Sequence, residues 1–229
     1  VTRDFDPLTG AMTENAVKDS VLQLDGKGAE ALQKHLTGAP FEVTSVTQRP
    51  FTQKPLAPFI TSTLQQVAGR QLRYTAKRTM RIAQRLYENG YITYMRTDSS
   101  TLSEEALNAA RTQIASLFGA EYVPEEPRSY KKKVKGAQEA HEAIRPTGTE
   151  FRTPDAVRSE LDDDAFKLYE LIWKRTLASQ MKDAAGQRTQ VRIKAPVGGA
   201  INEEAGQEIA GDAIFSATGR VITFPGFLK

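Results

Sequence analysis

Cysteine is absent from the 229 residues, which removes a disulfide framework, a thiolate zinc site and a thiol nucleophile, and suits a reducing cytosol. Histidine occurs twice, without a His-Glu-x-x-His spacing, so metal ligands are too few and no metal site is expected. Long apolar runs are also missing. Stretches such as Pro58 to Ile60 and Ala213 to Phe215 fall far short of the roughly 20 residues that cross a bilayer. There is no Walker loop, dinucleotide fingerprint or zinc-finger spacing, and no internal repeat or low-complexity tract. The chain opens at Val1 with no start methionine or signal peptide and stops at Phe227-Leu228-Lys229 after a strand-like run, so an excised internal piece of a longer protein is expected.

Charge of one sign is missing locally. From Val43 to Tyr87 there is no Asp or Glu, while Arg49, Lys54, Arg70, Arg73, Lys77, Arg78, Arg81 and Arg85 all fall inside. The acids gather at Glu104, Glu105, Glu125, Glu126 and Glu160 to Asp164. The net charge of +3, from 31 basic and 28 acidic residues, therefore hides two faces of opposite sign, one of which would steer a polyanion. The remaining composition, 39% hydrophobic and 26% charged, is that of an ordinary globular chain.

Periodicity gives the organisation. A short helix is expected near Gly28 to Leu36 and an alternating strand from Phe41 to Val46. Prolines 50, 55 and 58 then interrupt regular structure and mark a domain boundary. Ala76, Met80, Ala83 and Tyr87 recur at helical spacing, with Leu72 one turn earlier and Gly90 as a left-handed cap. Lys77, Arg78, Arg81 and Arg85 lie outside that stripe, with no acid on the helix to neutralise them, and phosphate is a natural partner. Tyr91 to Met95 reads as a short strand or extended segment. Thr101 with Glu104 resembles a capping box opening a helix that ends near Gly119. Val123 to Gly136, with Lys131, Lys132, Lys133 and Lys135, is irregular, and Gln138 to Ile144 suits a short helix. Thr153-Pro154 starts another, and Asp163 to Met181 is a long amphipathic helix burying Phe166, Tyr169, Ile172, Trp173 and Leu177. Thr189, Val191 and Ile193 alternate as a strand, and Ile214 to Phe224 predicts a hairpin around Thr218-Gly219. The fold class is α+β and multidomain: a β-rich domain from residues 1–54 and 182–229, interrupted by a helical domain, 55–181.

Chemistry concentrates around Tyr94, which Met95-Arg96-Thr97-Asp98-Ser99 follows with a guanidinium, hydroxyls and a carboxylate. A phenol is ionised in only roughly one molecule in a thousand at pH 7, and neighbouring cations favour the phenolate. Arg96 suits that task, and equally suits clamping a phosphodiester and stabilising its charge in the transition state. Residue types alone do not decide between Tyr91 and Tyr94. A helix through Gln138, His141 and Arg145 would bring the three to one face able to hold a phosphate.

Four segments then match a known family: Pro58-Phe59-Ile60-Thr61-Ser62-Thr63-Leu64-Gln65-Gln66, Ala83-Gln84-Arg85-Leu86-Tyr87-Glu88, Gly90-Tyr91-Ile92-Thr93-Tyr94-Met95-Arg96-Thr97-Asp98-Ser99, and Ala137-Gln138-Glu139-Ala140-His141-Glu142-Ala143-Ile144-Arg145-Pro146-Thr147. In order and spacing they resemble the bacterial type IA DNA topoisomerases. Similarity runs across the chain and is strongest from about residue 57 to 148; Ser100 stands where many relatives have Thr. The resemblance implies a ring-shaped enzyme with a helix-turn-helix-like tyrosine domain and a β-rich arm. It relaxes negatively supercoiled DNA without ATP, by single-strand cleavage, a 5′-phosphotyrosyl link, strand passage and resealing. It implies Tyr94 as nucleophile, with Arg96 and His141 at the phosphate. Gln84, Glu142 and Arg145 become DNA-contacting neighbours, beside the basic residues Arg70, Arg73, Lys77, Arg78, Arg81 and Arg85. Magnesium would be held by acids of a Toprim domain that does not appear here, so no cofactor is expected in this piece. Single-stranded or negatively supercoiled DNA and the missing Toprim and ring-closing domains are the expected partners, for a monomer in the cytoplasm at the nucleoid, with no membrane. Alone, the piece is expected to bind DNA without relaxing it. Rival readings are an inert DNA-binding module, a tyrosine recombinase, whose motif order differs, and a protein-interaction domain built on the long helix.

Overall fold

The computed structural model describes residues 9, 11–14, 24, 26–130, 142–197, 200–202, 207–209 and 211–229. The chain divides into two compact units, Val1–Arg49 with Arg188–Arg220, and Pro50–Gln187 with Val221–Lys229. The division falls inside three long strands, β1 (Glu42–Gln53), β2 (Ala184–Pro196) and β5 (Asp212–Phe224), which form one sheet in the order β1-β2-β5.

In the first unit, α1 (Gly26–Leu36) packs against β3 (Ala200–Asn202). β3 pairs antiparallel with β4 (Gln207–Ile209), Ile201 opposite Glu208. Thr189, Val191 and Ile193 are half-buried and alternate with exposed Gln190 and Arg192, the period of a strand with one covered face. Two expectations fail in the strands. β1 continues through Pro50, because an edge strand tolerates a residue without an N–H. The hairpin at Thr218-Gly219 does not form: β5 runs unbroken through both. The left-handed glycine that turns the chain is Gly211, at φ 93°.

The second unit is helical. α2 (Thr61–Leu72) and α3 (Ala76–Glu88) are separate helices, broken at Arg73, which adopts φ 60° and donates its N–H to Ala68 O. α4 (Glu104–Phe118), the short α5 (Pro154–Val157) and α6 (Asp163–Ser179) complete it. α6 is the hub, packed against α2, α3, α4 and α5. Its buried Tyr169, Ile172, Trp173 and Leu177 follow the amphipathic spacing, while Phe166 is only half-buried beneath the Arg158 guanidinium. α4 is capped by Ser103, whose side chain accepts the Ala106 N–H, and not by Thr101. On α3 the buried side chains are Thr79, Ile82, Ala83 and Leu86. The expected stripe was therefore rotated: Ala76 and Tyr87 are exposed and Met80 half-buried. Thr79 is tolerated inside because its hydroxyl donates to Thr75 O at 3.0 Å, so no polar atom is left unpaired.

An extended stretch threads this core. Ile144 is fully buried, donates its N–H to Phe59 O at 2.9 Å and forms a bridge with Phe59; Pro146 forms another with Ile92. The helix expected over Gln138 to Ile144 is not present in its described part, residues 142–144. Residues 138–141 lie outside the described residues, as does the lysine cluster at 131–135.

Candidate nucleic-acid cleavage site

α3 ends where Gly90, at φ 75°, donates to Tyr87 O and Tyr91 donates to Leu86 O, a left-handed reversal that a residue without a Cβ adopts at no steric cost. The chain then runs beside residues 145–147. Thr147 donates to Tyr91 O at 3.1 Å and Thr93 to Arg145 O at 2.9 Å. The Thr93 hydroxyl donates to Ala143 O at 2.7 Å and accepts the Arg145 N–H at 3.0 Å. The segment is extended without being a strand. Beyond it burial alternates: Met95, Thr97 and Ser99 are buried, and Tyr94, Arg96 and Asp98 are exposed. The phenol, the guanidinium and the carboxylate thus occupy successive outward positions, with Tyr94 37% exposed.

The two tyrosines of this segment differ. The Tyr91 hydroxyl donates to Glu160 Oε2 at 2.7 Å, and that hydrogen bond, then burial, raises its pKa above the ordinary phenol value. Arg152 pairs with the same carboxylate and lies over the Tyr91 ring. Hydrogen bonds from Arg152 and Tyr91 hold Glu160 at about 2. Tyr91 is therefore kept protonated and occupied. Tyr94 instead meets Tyr87 of α3 edge to face, ring centroids 5.3 Å apart. The sequence stripe had placed Tyr87 in the core; a stripe offset by one position looks the same in periodicity alone.

The cations of α3 separate into two sets. Arg78 pairs with Asp164 and stacks over Tyr74, and Arg85 pairs with Asp162. Both acids come from the start of α6, where the Asp162 side chain also caps the helix through the Ala165 N–H. Asp164 accepts the Tyr74 hydroxyl at 3.0 Å; burial and this bond push Tyr74 to about 12. The helix itself supplies these arginines no acidic partner, as its sequence predicts; the acids come from 77 and 86 residues away in sequence, so phosphate is not the only partner open to them. Lys77 and Arg81, one turn apart, are exposed and have no ion pair among the described residues, as are Arg70, Arg73 and Arg96. Gln84 is exposed and donates to Glu88 at 2.8 Å.

Arg145 is turned inward, 8% exposed, bonded to Glu142 Oε2 at 2.7 Å and to Pro146 O at 2.8 Å. Burial alone would raise the Glu142 carboxyl; hydrogen bonds from Ser103 and Arg145, with the arginine charge, hold it below its ordinary value. His141 lies outside the described residues. Among those described, no group of three or more His, Asp or Glu is placed to hold a metal ion, and no helix is long and apolar enough to cross a membrane.

Comparison with known proteins follows the same lines. Residues 6–229 match the family model described as DNA topoisomerase. The chain is 58% identical over 227 residues to DNA topoisomerase 1 of Mycolicibacterium smegmatis, covering 99% of this chain and 23% of that protein. It is 54% identical to DNA topoisomerase 1 of Streptomyces coelicolor, covering 99% and 22%. The solved structure of full-length topoisomerase I from Thermotoga maritima superposes with a TM-score of 0.68 at 37% identity, covering 87% of this chain and 31% of that one. The chain thus spans less than a quarter of the length of these two curated relatives.

Proposed function

The chain belongs to the DNA topoisomerase family, and on that premise we propose that it carries the strand-breaking tyrosine of a type IA enzyme, Tyr94. The observation that carries this reading is where the segment places its side chains: Tyr94 and Arg96 occupy successive outward positions, while Tyr91 is half-buried against Glu160. The Tyr94 oxygen attacks the phosphorus of a DNA phosphodiester. The O–P bond to tyrosine forms as the bond from phosphorus to the 3′-oxygen breaks; the phenol loses a proton and the leaving oxygen gains one. One ester replaces another, so resealing is the same step reversed and needs no ATP. Arg96 neutralises charge on the non-bridging oxygens. His141 is the second phosphate contact.

The DNA backbone follows Lys77, Arg81 and Gln84 along α3, with Arg70 and Arg73 ahead of them. Arg78 and Arg85, committed to α6, hold the domain together, and Arg145 with Glu142 supports Thr93 from behind. Magnesium belongs to the Toprim domain of the whole enzyme; the described residues offer it no ligand set, and no step here passes through it. The β-rich segments act as the arm that lets the tyrosine domain lift within a ring. The whole enzyme relaxes negatively supercoiled DNA as a monomer at the nucleoid; this chain alone binds single strands without relaxing DNA.

The test mixes the chain, magnesium and a separately expressed Toprim-bearing piece of a relative with a single-stranded oligonucleotide labelled at its 3′ end. A 5′-phosphotyrosyl link transfers that label to protein on a denaturing gel, whereas a 5′ label stays free. The adduct is expected to vanish in Tyr94→Phe and persist in Tyr91→Phe; an adduct that survives Tyr94→Phe sinks the assignment.

A further inference from the structure

Thr61 opens α2, and its hydroxyl reaches the segment that presents Arg96. Thr61 Oγ1 lies 2.9 Å from Met95 O and 3.0 Å from Thr97 O, and accepts the Thr97 N–H at 2.9 Å. The Thr61 N–H adds a bond to Thr97 O at 2.9 Å. The backbone on both sides of Arg96 is therefore fastened to one side chain, which has one proton to give and lone pairs to accept. The hold continues inward: Thr97 Oγ1 accepts the Ser99 N–H and Ser99 Oγ the Thr101 N–H. Residues 95–101 belong to no strand or helix and have no ladder of their own to fix them. Thr61 stands on a 12-residue helix anchored by buried Leu64, Val67 and Ala68.

We propose that Thr61 is a positioning residue for phosphate recognition: its hydroxyl fixes the backbone flanking Arg96 and so aims the guanidinium at the phosphate that Tyr94 attacks. The inference rests on the reading of Tyr94 and Arg96 given above. Thr61 itself touches no DNA. An arginine on a loose segment would sample many directions and lose most of its phosphate contact, whereas a charge aimed by a fixed backbone keeps it.

The discriminating experiment is a double-mutant cycle on this chain, read by fluorescence anisotropy with a labelled single-stranded oligonucleotide at low salt. Arg96→Gln is expected to weaken binding about tenfold in the wild-type background, as loss of one charge-assisted contact does. In the Thr61→Val background, which keeps the shape and loses the hydroxyl, it is expected to weaken binding by about twofold or less. Thr61→Ser, which restores the hydroxyl, returns the tenfold effect, and Lys77→Gln weakens binding by the same factor in every background. Equal effects of Arg96→Gln in both backgrounds, or a serine variant that behaves like valine, overturns the role of Thr61 while leaving Arg96 at the phosphate. An Arg96→Gln change with no effect even in wild type overturns the reading beneath it, and the inference with it. Thr61→Ala replaces Thr61→Val in the cycle should the valine variant fail to fold.

Discussion

The rings of Tyr87 and Tyr94 meet edge to face, 5.3 Å between centroids and 69° between planes. Tyr87 rides on the last turn of a rigid helix, so its ring limits where the Tyr94 phenol points. Edge-to-face pairs contribute about 0.5–1.5 kcal/mol beyond area burial. Tyr87→Leu is expected to slow adduct formation in the complemented cleavage assay by roughly three- to tenfold with oligonucleotide affinity unchanged, and Tyr87→Phe to behave as wild type. Equal loss in both variants would mean the hydroxyl, not the ring, matters.

Lys77 and Arg81 make a second prediction against Arg78. Each phosphate contact on a single strand contributes about 0.7 to the slope of log affinity against log salt. Lys77→Gln and Arg81→Gln are each expected to lower that slope by about this amount, with thermal stability unchanged. Arg78→Gln is expected to leave the slope intact and to lower the melting temperature slightly, as loss of an exposed ion pair does. Salt titrations and melting curves on the same samples separate the two.

Glu160 predicts an acid-side signature. Its folded pKa is depressed to about 2, below the ordinary carboxyl value of 4.5, so the stability it contributes is complete above that ordinary value and is lost as pH falls towards about 2. Melting temperature followed by circular dichroism is expected to fall more steeply over that window in wild type than in Glu160→Gln. Parallel curves would remove Glu160 from the acid response.

Ile144 predicts how the site depends on the core. Its side chain is fully buried, in a stretch bridged to Phe59 at Ile144 and to Ile92 at Pro146, and truncating such a residue to alanine costs about 2–5 kcal/mol. Urea denaturation of Ile144→Ala should show that loss, and the remaining folded protein should exchange the Thr93 amide faster. An unchanged denaturation midpoint would mean that Ile144 contributes little to the core.

What the sequence made legible was local. The long helix α6, the Thr153-Pro154 start and the Gly90 reversal each depend on residues a few positions apart, and pattern reading recovers them. The core face of α3 was misread because Tyr87 and Met80 count as apolar while Thr79, buried through its own backbone bond, does not. Thr101 and Ser103 both offer a capping hydroxyl, and only the register of α4 selects the second. Gly219 looked like a turn, yet the left-handed residue is Gly211. At the site, Tyr94 and Arg96 stood out by motif. The partners of the neighbouring positions, Glu160 for Tyr91 and Thr61 for the backbone of Met95 and Thr97, are 69 and 34–36 residues away and leave no spacing signal.

Pro50 has a consequence beyond its own strand. β1 and β5 form the two margins of a three-stranded sheet, and both leave nearly every side chain exposed, Val43, Val46, Val221 and Ile222 included. Such a margin is a template on which another molecule's backbone can be added. A proline there has no N–H to offer an incoming strand, so the residue that punctuates the sequence also takes one hydrogen-bond donor out of the sheet's edge.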